Sequence, residues 1–516
     1  MKLASIFTDH MVLQAHKPIM IFGEGIGCGE ISFQGRKYKI CSKDDNWCVE
    51  LQESEYGGPF EMKITLENEL TVLTDIYIGE VWIAAGQSNM EMPLFRTESG
   101  YSDAKYCENE MIRFFTVPRR VEKNTVSHGW HFEKTISTDT PWTICNEESA
   151  LHFSAIGFYS AQRLQKELGV AVGIISCNWG GMKIETFIER KYFYTSEVLL
   201  PIIKEYDEKL ALLNDADNKF ALNKYISEME AYCKKITYNE LKQAKDIGIY
   251  ATNNFEQHPP VVDFSIYSPN IPGCLFDSMF KRIVPYGVKG FLWYQGESNN
   301  CKSYLEKYMI FVDCMRENFR DANLPFYAVE LAAIHDGNSG FDDICGRFIE
   351  DGVENWAFIR EQQQIATVKK ENCYLVTNMD LGELYDVHPK RKSELSRRIV
   401  LKILKHSYGM DIYADEPRYI YHKVKGNKIY IKFKNAEGLF SRQFANVKMY
   451  VADESKKLEL AQIKIEEDTL ILHSEKVEKP VLARFAFDYH YNGAHIFNKA
   501  GLPIAPFRTD IELNGI

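Results

Sequence analysis

Between about residues 79 and 408, short apolar runs alternate with stretches of helical length and periodicity. YIGEVWIAA (77–85) is followed by the helix-like SAIGFYSAQRLQKELG (154–169), stopped at Gly169, and then by the strand-like VAVGIIS (170–176). Strands that alternate with helices imply a parallel α/β sheet, in which ligand sites lie at the carboxyl ends of the strands. This is the strongest constraint the chain places on its own fold. It directs attention to the residues just after each apolar run.

Ile83-Ala84-Ala85 leads into GQSNM (86–90), Ile174-Ile175-Ser176-Cys177 into NWGG (178–181), and Phe291-Leu292 into WYQGESN (293–299). A serine just past a strand end, beside a glycine, is where a nucleophile can stand on a tight strand-to-helix turn. Far downstream, DVHP (386–389) sets an aspartate two residues before a histidine on a loop that leads into a helix. A serine hydroxyl needs a base to take its proton, and that base needs a third group to orient it. Ser88, His388 and Asp386 supply those three types. Each string also has an ordinary use: a serine in a turn caps it, and in Asp-x-His-Pro the proline starts a helix that the aspartate caps.

On either side of this region the pattern is β. The first 78 residues carry strand-like runs at Pro18–Gly23, Glu30–Gln34 and Phe60–Leu66, separated by Gly-rich turns, which predicts a small β-sandwich. From about 416 the β signal returns in KIYIKF, VKMYVAD, TLILHS and VLARFAF. The expected division is an N-terminal β domain over 1–78, a catalytic α/β domain over 79–410, and a C-terminal β domain over 411–516. Within the middle part, the charged stretch 196–247 shows apolar residues at helical spacing, from Leu199, Ile202 and Ile203 to Leu213. It is read as part of a helical insertion over about 190–265, either a packed hairpin or a lid or oligomer contact.

Composition narrows the partners. With 516 residues the chain exceeds one ordinary core. A net charge of −11 argues against nucleic acid or an anionic membrane as main partner. No segment reaches the ~18–20 apolar residues of a membrane span. The opening MKLASIFTDH has one lysine and no apolar h-region, unlike a signal peptide. The twelve cysteines are scattered, with no CxxC and no metal-ligand spacing. Together these give the expectation of reduced thiols, no metal and no cofactor, and a cytoplasmic protein, or a secreted one if a leader preceded the sequence.

GQSNM, NWGG, WYQGESN and DVHP occur in the order of the four blocks of the SGNH hydrolases, and the chain most closely resembles the sialate O-acetylesterase branch. LASIFTDHMVLQAHKPI (3–19), GGPFEMKI (57–64), VPYGVKGFLWYQGESNN (284–300), REQQ (360–363) and GLPIAPFRTD (501–510) are similar to that family too. The resemblance covers nearly the whole chain and fades between about 190 and 265. It implies a three-layer SGNH sheet domain flanked by sandwich-like regions. It also implies a serine esterase that removes acetyl groups from sugars, O-acetylated sialic acid first, through an acetyl-enzyme. Related enzymes act on xylan, xyloglucan or mannan, so a small or oligosaccharide acetylated sugar is the implied partner, with homo-oligomers an open question.

The resemblance gives Ser88 the attack, His388 the proton and Asp386 the imidazole. An oxyanion hole needs preorganised donors, each typically worth ~3 kcal/mol of barrier. The Ser88 N–H and a backbone N–H of Gly180 or Gly181 are candidates. The family's asparagine is matched here by Gln295, with Asn89 and Asn299 as substitutes. Weaker substrate-binding candidates are Gln87, Asn89, Trp179, Glu297 and Arg360. Trp179 and Trp293 either stack on a sugar or belong to the core. Glu297 either meets a substrate hydroxyl or His388, or makes a structural hydrogen bond. Arg360 either pairs with a carboxylate or ties a helix start to Glu361. Lys183, where the family commonly has threonine nearby, either meets an anionic substrate or points to solvent. His10, Asp9 and Trp47 match the N-terminal region and read as structural. Two other classes fit less well. A glycosidase would use carboxylates such as Glu91, Glu297 and Asp386 but leave Ser88, Gly181 and His388 without a task. A noncatalytic sugar-binding protein would not need the serine–histidine–aspartate set.

Overall fold

The computed structural model describes residues 1–119, 141–212, isolated positions between 216 and 231, and then 270–334, 356–383, 386–441, 447–487 and 495–511. It is a mixed α/β protein with several sheets.

One strand organises it. Glu69–Gly86 runs for 18 residues. Its first half pairs antiparallel with Gly57–Leu66, which pairs with Cys28–Phe33, and that strand with Arg36–Cys41. Here exposure alternates, as in a sheet with one solvated face. From Ile78 onward every residue is buried, and the strand becomes parallel: Glu80–Gly86 beside Val172–Asn178, and Trp82–Gly86 beside Gly290–Tyr294. Asn109–Thr116 extends the sheet on one side, and Phe326–Val329 and Cys373–Val376 on the other, all parallel. Thr143–Cys145 closes one edge antiparallel. The serine-bearing strand is therefore central, and residue 78 lies in its interior.

The runs expected to be strands near Pro18, Glu30 and Phe60 are Ile19–Glu24, Cys28–Phe33 and Gly57–Leu66. A separate three-stranded sheet holds Lys2–Leu3, Ile19–Glu24 and Asn46–Leu51. Buried residues of this region, such as Ile21, Ile31, Trp47 and Ile64, share one continuous core with the parallel sheet. Asp9 accepts the Thr74 N–H at 2.6 Å and His10 meets Asp75 at 2.6 Å, so both pin the start of the chain to the central strand.

Helices cover the parallel sheet. Ala155–Leu168 is capped by Ser154 Oγ, which accepts the Gly157 N–H at 3.2 Å, and it stops at Gly169, as its sequence predicts. Lys392–His406 packs against it and reaches Cys373–Val376 and Phe326–Val329. Trp356–Lys369 lies on Cys373–Val376 and beside Tyr304–Asn318. Leu200–Ala211 is helical and buries Ile203 and Tyr206 on the main core. The rest of the expected insertion, from 232 to 265, lies outside the described residues.

The C-terminal part has its own core. Arg418–Lys425, Lys428–Lys434, Thr469–His473 and Gln462–Glu466 form one antiparallel sheet; Glu459–Leu460, Met449–Ala452, Leu482–Phe485 and Phe507–Arg508 form another. Ile429, Ile431, Met449, Leu470 and Phe485 pack together within it. Arg508 fastens it to the main body by gripping Glu361 through two nitrogens, at 2.8 and 3.0 Å. Among the described residues no helix is long and apolar enough to cross a membrane.

Candidate active site

At the end of the central strand Gly86 has φ +140°, and a Cβ there would lie 2.1 Å from the Tyr294 carbonyl oxygen. Only glycine allows the chain to turn so close to its neighbour. Gln87 follows, and Ser88 opens the short helix Ser88–Glu91. A residue in that first position has no acceptor for its N–H within the helix. Ser88 is half-buried.

Although 300 residues apart, His388 and Ser88 meet: the imidazole Nε2 lies 2.9 Å from the Ser88 Oγ. The Asp386 carboxylate is 3.4 Å from His388 Nδ1 and accepts the His388 backbone N–H at 2.8 Å. Burial alone would raise the Asp386 carboxyl. The hydrogen bonds and charge of His388 outweigh that and hold it below the usual carboxylate range. The three residues named from the sequence thus stand in a row, with the imidazole between the Ser88 hydroxyl and the Asp386 carboxylate.

A polar network fixes the row in place. Asn89 donates to the Val387 carbonyl at 2.8 Å and to Glu297 at 2.6 Å, and accepts from Lys392 at 2.6 Å. It therefore ties the serine helix, the histidine loop and the Glu297 turn together. The Lys392 ammonium is buried and lies 5.2 Å from the Tyr294 ring centroid. Burial pushes Lys392 down to about 7, against the opposing charges of Glu297, Asp386 and Glu383. Burial likewise raises the Glu297 carboxyl, opposed by hydrogen bonds from its own backbone and Asn89 and by the charges of His388 and Lys392.

The glycine pair divides in role. Gly180 packs on Ser88, but its N–H donates to Glu91 Oε2 at 2.6 Å. Glu91 is paired at 2.8 Å with Arg119, whose Nε donates to the Asn178 carbonyl at 3.0 Å; both side chains are buried. Gly180 is therefore corrected as an oxyanion donor, because its proton is already committed. The Gly181 N–H has no acceptor among the described residues, and Gly181 is open to solvent.

Gln295 is corrected for the same reason. It is fully buried, and its Nε2 already faces Gln87 Oε1 at 3.2 Å, the Met182 carbonyl at 3.0 Å and Asn299 Oδ1 at 2.5 Å. Two amide protons cannot serve these acceptors and an oxyanion as well. Asn299 is no substitute, since its amide donates to Glu185 at 2.9 Å. Gln87 is buried and accepts from the Gly296 and Ser298 N–H groups, both at 3.4 Å. It shapes the turn and offers no surface to substrate.

Trp179, Trp293 and Arg360 are fully buried. Trp293 packs on Phe311 at 4.1 Å, so both tryptophans belong to the core and neither presents a face to a sugar. Arg360 lies within a helix that is already formed at Trp356, and its charge acts on the buried Glu330. Glu361 takes Arg508 instead. Lys183 is exposed. Glu91, Arg119 and Lys392 are the site residues that the strings did not single out for these tasks. Glu91, three residues after Ser88, and Lys392, four after His388, recur at one-turn spacing from the reacting groups; Arg119 lies in no motif. Among the described residues no group of three or more histidine, cysteine or acidic side chains is placed to hold a metal.

Residues 266–401 match the family model described as carbohydrate esterase, sialic acid-specific acetylesterase. Sialate O-acetylesterase from Rattus norvegicus is 22% identical over 79% of this chain and 74% of its own length. That from Homo sapiens is 21% identical over 79% and 71%. A crystal structure of a carbohydrate acetylesterase from Xanthomonas citri superposes with a TM-score of 0.75 at 23% identity, covering 99% of both chains, which shows a shared fold. The chain is thus similar to the sialate O-acetylesterases and is a carboxylic ester hydrolase.

Proposed function

We propose that the chain hydrolyses acetyl esters of sugars by serine catalysis, with O-acetylated sialic acid as its first substrate. The 2.9 Å approach of His388 Nε2 to Ser88 Oγ carries this reading. Ser88 Oγ attacks the acetyl carbonyl while His388 takes its proton. The tetrahedral oxyanion forms beside the N–H groups of Ser88 and Gly181, the two donors left uncommitted. When the intermediate collapses, His388 gives the proton to the departing sugar oxygen. Water then enters by the same route and releases acetate. Asp386 holds the imidazole in the tautomer that leaves Nε2 free and stabilises the imidazolium. The proposed frame is a three-layer SGNH domain, about 79–410, between sandwich-like regions at 1–78 and 411–516. The substrate assignment is supported by the names of the relatives.

Acetate release from O-acetylated sialic acid and from O-acetylated xylo- and mannooligosaccharides, with wild type and Ser88→Ala, tests it. Release from the sialic acid at the highest kcat/KM, abolished in Ser88→Ala, is expected. Faster release from a neutral oligosaccharide would overturn the substrate. Release of free sugar without acetate would overturn the reaction.

A further inference from the structure

The C-terminal sheet has an outer face that the esterase chemistry does not use. Ile429, Ile431, Phe433, Leu470 and Leu472 point into its core, so the residues between them point outward. The register lines these up in rows across the strands. Tyr421, Lys432, Thr469 and Glu466 form one row; Lys423, Tyr430, Ile471 and Lys464 the next; Lys425, Lys428, His473 and Gln462 the third.

Five lysines thus share one face of a chain whose net charge is −11. The opposing acids gather at one hairpin: Lys432 pairs with Asp468 at 2.5 Å and Lys464 with Glu466 at 2.5 Å. Lys423, Lys425 and Lys428 have no carboxylate partner among the described residues. The first two hold their ammoniums 5.5 Å from the Tyr421 ring centroid and 5.3 Å from that of Tyr430. An open groove of about 690 Å³ is lined by Tyr421, Lys423, Lys425, Tyr430, Lys432 and Thr469 and, at its hairpin end, by Glu466 and Glu467.

We propose that this face binds an anionic polysaccharide and so holds a polymeric, carboxylate-bearing carbohydrate on the enzyme. Alternate residues of a strand stand ~6.7 Å apart and adjacent strands ~4.8 Å apart. Lys423, Lys425 and Lys428 therefore set three positive charges close together on two neighbouring strands. One exposed ion pair contributes little, so a monosaccharide binds weakly and a chain touching several lysines binds by summed contacts. The tyrosine rings between the lysines offer flat surfaces to sugar C–H faces. Lysines on an outer strand also discourage edge pairing between proteins, which requires no ligand and makes no prediction of sugar binding. Nucleic acid is the less favoured polyanion, because its denser charge meets the acidic remainder of the chain.

The full-length protein is titrated by affinity electrophoresis with polysialic acid and polygalacturonate, with dextran as the neutral polymer and duplex DNA as the competing polyanion. The variants are the triple Lys423→Gln/Lys425→Gln/Lys428→Gln and the single Tyr430→Ala. Expected is retention by at least one acidic polysaccharide, weakened by added salt and by at least about tenfold in the triple variant. Tyr430→Ala should weaken retention by a smaller factor. Turnover of p-nitrophenyl acetate should be unchanged in all variants. Absence of retention by both acidic polysaccharides at low salt, retention indifferent to the triple variant, or tighter binding of duplex DNA would overturn the proposal. Retention is read without catalysis, so an inactive protein that still binds would sink the esterase mechanism and leave this inference standing.

Discussion

The carboxylate of Glu91 accepts the backbone N–H of Gly180 at 2.6 Å, one residue short of the N–H left open at Gly181. One side chain thereby decides which member of the glycine pair can meet an oxyanion. Its other oxygen holds Arg119, so a buried ion pair braces the loop against the serine helix. Glu91→Ala should leave the buried Arg119 without this carboxylate and lower stability by about 3 kcal/mol. Glu91→Gln keeps an acceptor for Gly180 and should retain kcat far better than the alanine variant. Thermal melts and kcat of the two variants decide this. Equal activity in both would remove Glu91 from the loop's support.

Ser88→Ala should fold normally and lose about 10⁴–10⁶ in kcat on p-nitrophenyl acetate. Unchanged circular dichroism and retention of more than about a tenth of the wild-type rate would together disprove the nucleophile.

A histidine base works only when neutral, so kcat/KM should climb between about pH 5 and 8. Asp386 lies below the usual carboxylate range and stays ionised throughout that interval. Loss of the Asp386 charge therefore does not set an acid limb in that interval. Asp386→Asn should lower the rate by up to about 10⁴ while leaving the fold intact. A flat profile over the same interval would rule out His388 as base.

Asn89 touches the histidine loop, the Glu297 turn and Lys392 at once. Asn89→Ala should therefore lower kcat about 10–100-fold, ~1.4–2.8 kcal/mol of barrier, with little change in KM. A variant whose loss lies wholly in KM would place Asn89 against the substrate instead.

Lys392 makes a different kind of forecast. Its ammonium is pushed down to about 7 by burial, whereas an unfolded chain keeps a lysine protonated to ~10.4. Between those values the unfolded state binds more protons, so this group makes stability rise with pH. Below the lower value its cost is fully present. Lys392→Met, of similar size and uncharged, should flatten the change in unfolding free energy between pH 7 and 10. Denaturant titrations of both proteins across that range check it; parallel curves would contradict the assignment.

Much of this was legible in the chain before its fold. Alternating apolar runs located the parallel strands, and Ser154 and Gly169 bounded their helix, because caps and periodicity act within a few residues. Ser88 stood out as a serine beside a glycine at a strand end, and Asp386 and His388 as an acid two residues before a histidine on a loop. The partners of polar side chains were another matter. Gln295 and Gly180 had the right chemistry for donors, but Asn299 and Glu91, brought from elsewhere by tertiary folding, occupy their hydrogens. The tryptophans beside the motifs went to the core for a similar reason: a strand end in a sheet covered by helices is buried. Arg119 and Lys392 are ordinary surface residue types, and only the packing around them makes their charges internal.

The strand Glu69–Gly86 also bears on how the molecule can be cut and rebuilt. Its two halves pair with different sets of strands in one continuous sheet, and there is no hinge between them, since residues 76–86 are buried or nearly so without interruption. A fragment starting at residue 79 would begin in mid-strand. It would strip Val12–Gln14 from its flank, and with it the Gln14 side chain that accepts the Val81 N–H at 2.8 Å. The smallest portable unit that presents Ser88 correctly is therefore not the α/β part alone. Anyone grafting, permuting or shuffling this enzyme has to move its first 78 residues together with the catalytic sheet.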